Sequence, residues 1–330
     1  MNALTRQHGP ARTWLTLLKR EFWEHRGGLL WAPVVTGALF LALTIMAMAV
    51  AHVGAGKARI QLGALNLGEL TRNLDANQLA AVGASIDISA LMTAGQIGVV
   101  VAIVVFFYCL GALYDERRDR SVLFWKSLPV SDRDTVLSKA ATALVVAPVI
   151  GILVGIATGV GIHLLVATWL AFQGVNAFQM LFVAASPFKV IAYLLALMPL
   201  NLLWALPTVG WLLLCSAWAK SKPFLWALAL PVGAGALVSW FDVLRNFSLP
   251  DSWFWTQVVA RLVGSVIPGS WIDFQTLSRS NIRGPEDFME LASLANFYTV
   301  LERPSVWIWA AIGVAMIAAA IHLRRWRDDG

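Results

Sequence analysis

An all-α membrane protein with six crossings is the fold class this sequence predicts. Three observations carry that reading. Apolar residues make up 58% of the 330 and charged residues only 13%, with a mean hydropathy of +0.70; soluble domains carry roughly a quarter of their residues as charges. Six apolar runs, 29–51, 95–114, 140–168, 188–218, 224–243 and 305–323, reach the roughly 20 residues a helix needs to cross a bilayer. The basic residues are also sided. With both termini inside, 16 of the 25 Lys and Arg fall in the short inner segments and nine in the much longer outer ones. Basic residues collect on the cytoplasmic face, so this bias predicts cytoplasmic termini in a bacterial inner (plasma) membrane.

The chain divides into a cytoplasmic arm, 1–28, and one six-span membrane domain, 29–330. Within the arm, Trp14, Leu18 and Phe22 share one helical face while Lys19, Arg20 and Arg26 lie elsewhere. That pattern predicts an amphipathic helix resting on the inner leaflet, with membrane lipid as its partner; a plain basic topology signal fits it too. The first apolar run follows 28 residues of arm and reads as an anchored span, not a cleaved leader. The outer segment 52–94 contains HVGAGKAR at 52–59, a weak likeness to a phosphate loop. Ala51 stands where its first Gly belongs and Ala58 where the Mg²⁺-binding hydroxyl belongs. Leu62–Leu91 reads as a small amphipathic helix of its own.

The run from Tyr114 to Lys139, YDERRDRSVLFWKSLPVSDRDTVLSK, is the most charged in the chain. Ser121, Phe124, Trp125 and Leu128 fall at i, i+3, i+4 and i+7, one stripe of a short helix. Pro129 stops that helix, and Ser131 with Asp134 has the form of an N-cap that starts another. A docking surface and a solvated loop that fixes topology both fit this pattern. Span 3 carries Gly151, Gly155 and Gly159, a ladder that lets helices approach closely, within the chain or across a dimer seam. His163 near its outer end is either functional or simply wet. Span 4 contains Pro199 and Pro207 and reads as kinked or tilted. The outer segment 244–304 is rich in Trp and Pro, and Trp253–Pro268 is apolar enough to lie on the outer leaflet, to dip into it as a re-entrant pair of short helices, or to form a further span.

Much chemistry is missing. No His, Cys, Asp or Glu spacing resembles a metal site, and no hydrolase or ATP-binding motif is present. The two cysteines, Cys109 and Cys215, lie in apolar runs. The reading therefore gives no catalysis, no cofactor and no metal in this chain. The net charge of +6 is accounted for by the membrane bias and calls for no nucleic acid. The spans hold almost no buried charge, whereas an ion-coupled carrier generally needs ionisable groups at mid-membrane. Any energy for transport then comes from outside the chain.

A surface helix, six spans, a charged corner between spans 2 and 3 and an outer re-entrant segment before span 6 together resemble the permeases of ABC-2 type transporters. The matching residues run from Glu116 to Ser131, ERRDRSVLFWKSLPVS, followed by Lys139, with LLKREFWEHR at 17–26 resembling the family's interfacial helix. One departure is Arg120-Ser121 where the family usually has Gly-Thr, which leaves the start of the coupling helix open. The resemblance implies a subunit of an ATP-driven exporter that is not itself catalytic. A separate cytosolic ABC ATPase, holding ATP and Mg, would dock on the coupling helix, with Phe124, Trp125 and Leu128 as apolar anchors and Glu116, Arg117, Arg118 and Arg120 as a charged rim. A second permease copy or paralogue would complete the dimer. A non-transporting membrane anchor or assembly protein, and an ion-coupled secondary carrier, are the alternatives.

Overall fold

In a computed structural model the chain is described over residues 10–62, 75–120, 130–172, 185–245, 253–272 and 284–326. These residues are helical, without strands, and include six helices long and apolar enough to cross a membrane: Gly27–Gly54, Ala76–Arg118, Asp132–Phe172, Pro187–Trp218, Pro223–Phe241 and Pro304–Trp326. All six coincide with runs read from the sequence.

Helix α1 (Pro10–Glu24) passes through a π-helical turn, Gly27–Trp31, into α2 (Ala32–Leu62). HVGAGKAR lies within α2, in helix and not in a loop. Helix α3 (Ala76–Ala112) starts at a capping box: the Asp75 carboxylate accepts from the Gln78 N–H at 2.7 Å, and the Gln78 side chain accepts from the Asp75 N–H at 3.1 Å. The separate helix expected up to Leu91 is, from Ala76 on, the outer part of this one long helix. Asp87 lies in that stretch. In the fold it is 7% exposed, and its two carboxylate oxygens accept from the Ser186 N–H at 3.0 and 3.1 Å. A buried carboxylate with backbone donors is tolerated where an unpaired one would not be. The spans therefore do hold buried charge, Asp87 here and Lys139 at the start of the third, where the sequence pointed to almost none.

After the short α4 (Tyr114–Arg118), α5 (Asp132–Ala141) leads through a π-helical turn, Thr142–Val146, into α6 (Ala147–Phe172). Ser131 caps α5 as the sequence indicates: its Oγ accepts from the Asp134 N–H at 3.1 Å and lies 2.6 Å from the Asp134 carboxylate. Span 4 is broken into α7 (Pro187–Ala196) and α8 (Met198–Trp218). The break falls at Leu197, with Pro199 in the first turn of α8, where a missing N–H costs nothing. Pro207 sits inside α8. Helix α9 (Pro223–Arg245) follows.

Residues 253–272 form a compact turn: a π-helical stretch Trp255–Val259, the short α10 (Ala260–Gly264), and a reversal through Gly269 at φ +80°. It packs inward against two long helices. Thr208, midway along α8, donates to the Arg261 carbonyl at 2.9 Å and accepts from the Ser265 N–H at 3.0 Å. Pro268 lies so close to Gly98 of α3 that a Cβ there would stand 2.8 Å from its ring. The backbone groups of this non-regular turn thus find protein partners. After α11 (Pro285–Leu291) and α12 (Leu294–Tyr298), the last helix is α13 (Pro304–Trp326).

Glycine sets two close helix contacts in the interior. Gly151, Gly155 and Gly159 of α6 all face α3, where added Cβ atoms would meet Val101 at 2.9 Å, Ala94 at 3.1 Å and Ala90 at 3.9 Å. Gly210 of α8 and Gly313 of α13 are closer still: Cβ atoms would stand 2.4 Å from the Gly313 carbonyl oxygen and 2.6 Å from the Leu206 backbone. A backbone obstacle cannot swing away as a side chain can. Gly313→Ala and Gly210→Ala are therefore expected to cost about 1–3 kcal/mol or more through forced separation of the helices. Gly159→Ala is expected to be nearly neutral. Thermal midpoints of the detergent-purified proteins compare them, and equal midpoints would refute the contact.

Candidate functional site

The corner between spans 2 and 3 is built around Lys139. It lies in the last turn of α5, where the helix enters the third span, and its side chain is only 2% exposed. An ammonium removed from water costs several kcal/mol unless it is paired and hydrogen-bonded. Lys139 Nζ meets three carboxylate oxygens, matching its three N–H donors: Glu21 Oε1 at 3.1 Å, Glu21 Oε2 at 3.2 Å and Glu116 Oε1 at 3.0 Å. Glu21 comes from α1 and is fully buried. Tyr108 of α3 donates its hydroxyl to Glu21 Oε2 at 2.9 Å, and Arg20 also pairs with Glu21.

Glu116, from α4, carries the network onward. Its Oε2 accepts from Arg324 Nη1 at 2.7 Å, and Arg324 Nε in turn reaches Asp132 Oδ1 at 3.1 Å. Arg20 lies 3.8 Å from Glu116. Three carboxylates and three cations thus balance inside one cluster, tying together α1, α3, α4, α5 and the inner end of α13. Burial pushes the Glu21 carboxyl up, but the charges of Lys139 and Arg20 and the Tyr108 hydroxyl more than offset this and hold it below the ordinary carboxylate range.

A second clasp lies beside the first. Ser216 of α8 donates to the Leu110 carbonyl at 2.7 Å and accepts from the N–H groups of Leu113 and Tyr114 at 3.0 and 2.9 Å. These groups lie at the junction of α3 and α4, where backbone partners run out. Arg117 donates to the carbonyls of Ser216 at 2.5 Å and Ala219 at 3.1 Å, the last turn of α8. A guanidinium at a helix C-terminus satisfies its orphan carbonyls and opposes its dipole.

The residues singled out in the sequence divide accordingly. Glu116 and Arg117 are engaged inside the chain, whereas Arg118 and Arg120 are exposed. Arg120 has φ 56°, the left-handed conformation that favours glycine, at the position where the resemblance has Gly. Phe124, Trp125 and Leu128 lie outside the described residues. Trp14, Leu18 and Phe22 are half-buried; the fully inward face of α1 is Leu17 and Glu21. Sequence reasoning missed Glu21, Tyr108, Ser216 and the burial of Arg324. The available signal was a carboxylate four residues after Leu17 on one stripe, opposite a lysine placed just before an apolar run. Among the described residues no group of three or more His, Cys, Asp or Glu could hold a metal ion. No protein-family model, no curated protein and no solved structure matches this chain.

Removing one member of a buried ion pair leaves the other uncompensated, typically at a cost of about 3–5 kcal/mol. Lys139→Met is expected to lower the thermal midpoint sharply, and Glu21→Gln combined with Lys139→Met to recover much of the loss. Additive losses in this double-mutant cycle would exclude the coupling. The depressed Glu21 carboxyl gives the second expectation. Its contribution is complete above the ordinary value of 4.5 and is lost as pH falls through its lower folded value. The wild type is therefore expected to lose thermal stability below about pH 4.5 more steeply than Glu21→Gln.

Proposed function

We propose that this chain is the membrane-spanning permease subunit of an ATP-driven exporter of the ABC-2 type, worked by a separate cytosolic ATPase that grips the segment between Arg120 and Val130. The observation that carries this reading is the Lys139 cluster. It fastens the helix before the first span, both flanks of the 121–129 segment and the inner end of the last span into one unit. A load applied to that segment would then pass into α3, α5–α6 and α13 together instead of bending a loose loop. An inter-span connection that served topology alone would have no need of a fully buried lysine held by two carboxylates from distant parts of the chain.

In this reading the half-buried stripe Trp14, Leu18 and Phe22 rests at the inner leaflet, both termini are cytoplasmic, and Phe124, Trp125 and Leu128 seat in a groove of the ATPase with Arg118 and Arg120 at the rim. Buried aromatic residues tend to dominate such interfaces. Glu116 and Arg117 serve by holding the corner in shape. The turn at 253–272 is re-entrant, and its contacts with Gly98 and Thr208 well inside their helices support this. ATP and Mg belong to the partner, and a second permease copy or paralogue completes the assembly in a bacterial inner membrane.

The double substitution Phe124→Asp with Trp125→Ala is expected to leave the protein inserted and folded, with an unchanged elution profile, while abolishing co-purification of an ATPase subunit and chain-dependent ATP hydrolysis. Undiminished ATPase binding in that variant would overturn the proposal. Uptake driven by a pH or sodium gradient without ATP would favour a secondary carrier instead.

A further inference from the structure

At the opposite end of the bundle stands a buried cation that the Lys139 network does not touch. Arg261 of α10 is 7% exposed. Its guanidinium lies over the indole of Trp204 in α8, 3.4 Å from the ring centroid. No carboxylate among the described residues pairs with it. A second cation, Arg303, stands one residue before α13 and acts on Arg261 by charge repulsion. Trp271, 6% exposed, packs edge-on against the same Trp204 at 6.4 Å, and its buried indole N–H has no acceptor among the described residues.

The Arg261 guanidinium and the Trp271 N–H thus meet at one indole with no described acceptor to receive them, and the one further charge acting on Arg261 is of the same sign. The hydroxyls close by are committed elsewhere: Ser270 accepts from Trp204 Nε1 at 3.0 Å, and Thr208 and Ser265 bond to each other and to the Arg261 carbonyl. Cation–π attraction to Trp204 supports one positive charge. It does nothing for the repulsion between two, and it leaves the in-plane N–H groups of the guanidinium free to bind an oxyanion in its fork.

We infer that Arg261, Arg303 and the Trp271 N–H form a binding site for a phosphate-type oxyanion at the outer end of α8 and α13, with Trp204 as its floor. A planar guanidinium presents paired donors to phosphate oxygens, and a second cation nearby then lowers the energy of the pair instead of raising it. The phosphate is carried either on an anionic lipid headgroup or on a soluble molecule. The site stands whether or not an ATPase docks at the other end.

The test uses the full-length chain purified in a neutral detergent. Binding of phosphatidylglycerol is measured by native mass spectrometry against a neutral glycolipid of equal chain length, and inorganic phosphate is added separately as a competitor and in thermal-shift titrations. Wild type is expected to retain phosphatidylglycerol in preference to the glycolipid. Arg261→Gln and Arg303→Gln are each expected to weaken it about tenfold or more, as the loss of a charge-assisted contact requires; Arg261→Lys should weaken it less. Phosphatidylglycerol binding that inorganic phosphate cannot displace assigns the lipid source. Displacement and stabilisation by inorganic phosphate assign a soluble one. Arg303 is exposed, so Arg303→Gln keeps the test valid if Arg261→Gln does not fold. Equal retention of both lipids without any phosphate effect, or binding undiminished in both Gln variants, overturns the site.

Discussion

The ammonium of Lys139 has been taken out of water, and the shape of the inner half of the molecule follows from how that is compensated. Three oxygens are needed within about 3 Å, and no single neighbouring helix supplies them. Glu21 arrives from a helix more than a hundred residues earlier in the chain, and Glu116 from the turn that ends span 2. Each carboxylate then needs further donors, which draws in Tyr108, Arg20 and Arg324. One desolvated charge thus recruits five helical elements. Ion pairs of this kind are weak evidence for net stability, because apolar replacements often do as well. What they join is specific: α1, α5 and α13 each bring a charge to this corner whose partner lies on another element.

The same logic, with the opposite outcome, governs the far end. At Lys139 every donor has found an acceptor. At Arg261 the chain gathers donors and brings another cation instead of a carboxylate. The contrast separates an interior that is finished by its own residues from one whose charge is left for something else to balance. Among the described residues the intervening length is mainly apolar, packed through small residues, and offers no comparable polar cluster. Activity at either end must therefore reach the other through the relative placement of helices.

How much of this was legible in the sequence depends on the physics involved. The spans could be read because hydropathy is additive along the chain, and the start at Ser131 because a cap is local. Gly151, Gly155 and Gly159 could be seen as a contact ladder, since their spacing places them on one face. Pairing across long separations could not be read. Glu21 looked like one more charge on a surface helix, because amphipathicity averages over a face and does not distinguish Leu17–Glu21 from Trp14–Leu18–Phe22. Asp87 could not be read as buried for the related reason that a lone carboxylate lowers hydropathy whether or not the Ser186 amide offsets its cost. Gly210 and Gly313 form no glycine ladder in the sequence: Gly210 stands alone, Gly313 is one of many small residues in α13, and only the crossing of α8 and α13 makes them partners.

That crossing has a mechanical corollary. Side chains between helices act as a compliant layer, and where two backbones touch directly the layer is gone. Helices α8 and α13 cannot roll or slip at Gly210–Gly313 without atoms overlapping, so they move as a single beam. Helices α2 and α9 are little buried within the chain, and the close glycine contacts described for them, such as Gly37 against Thr158 and Gly235 against Trp255, are with side chains and not with backbone. Any reshaping of the bundle must be accommodated by those outer staves while the beam keeps its form.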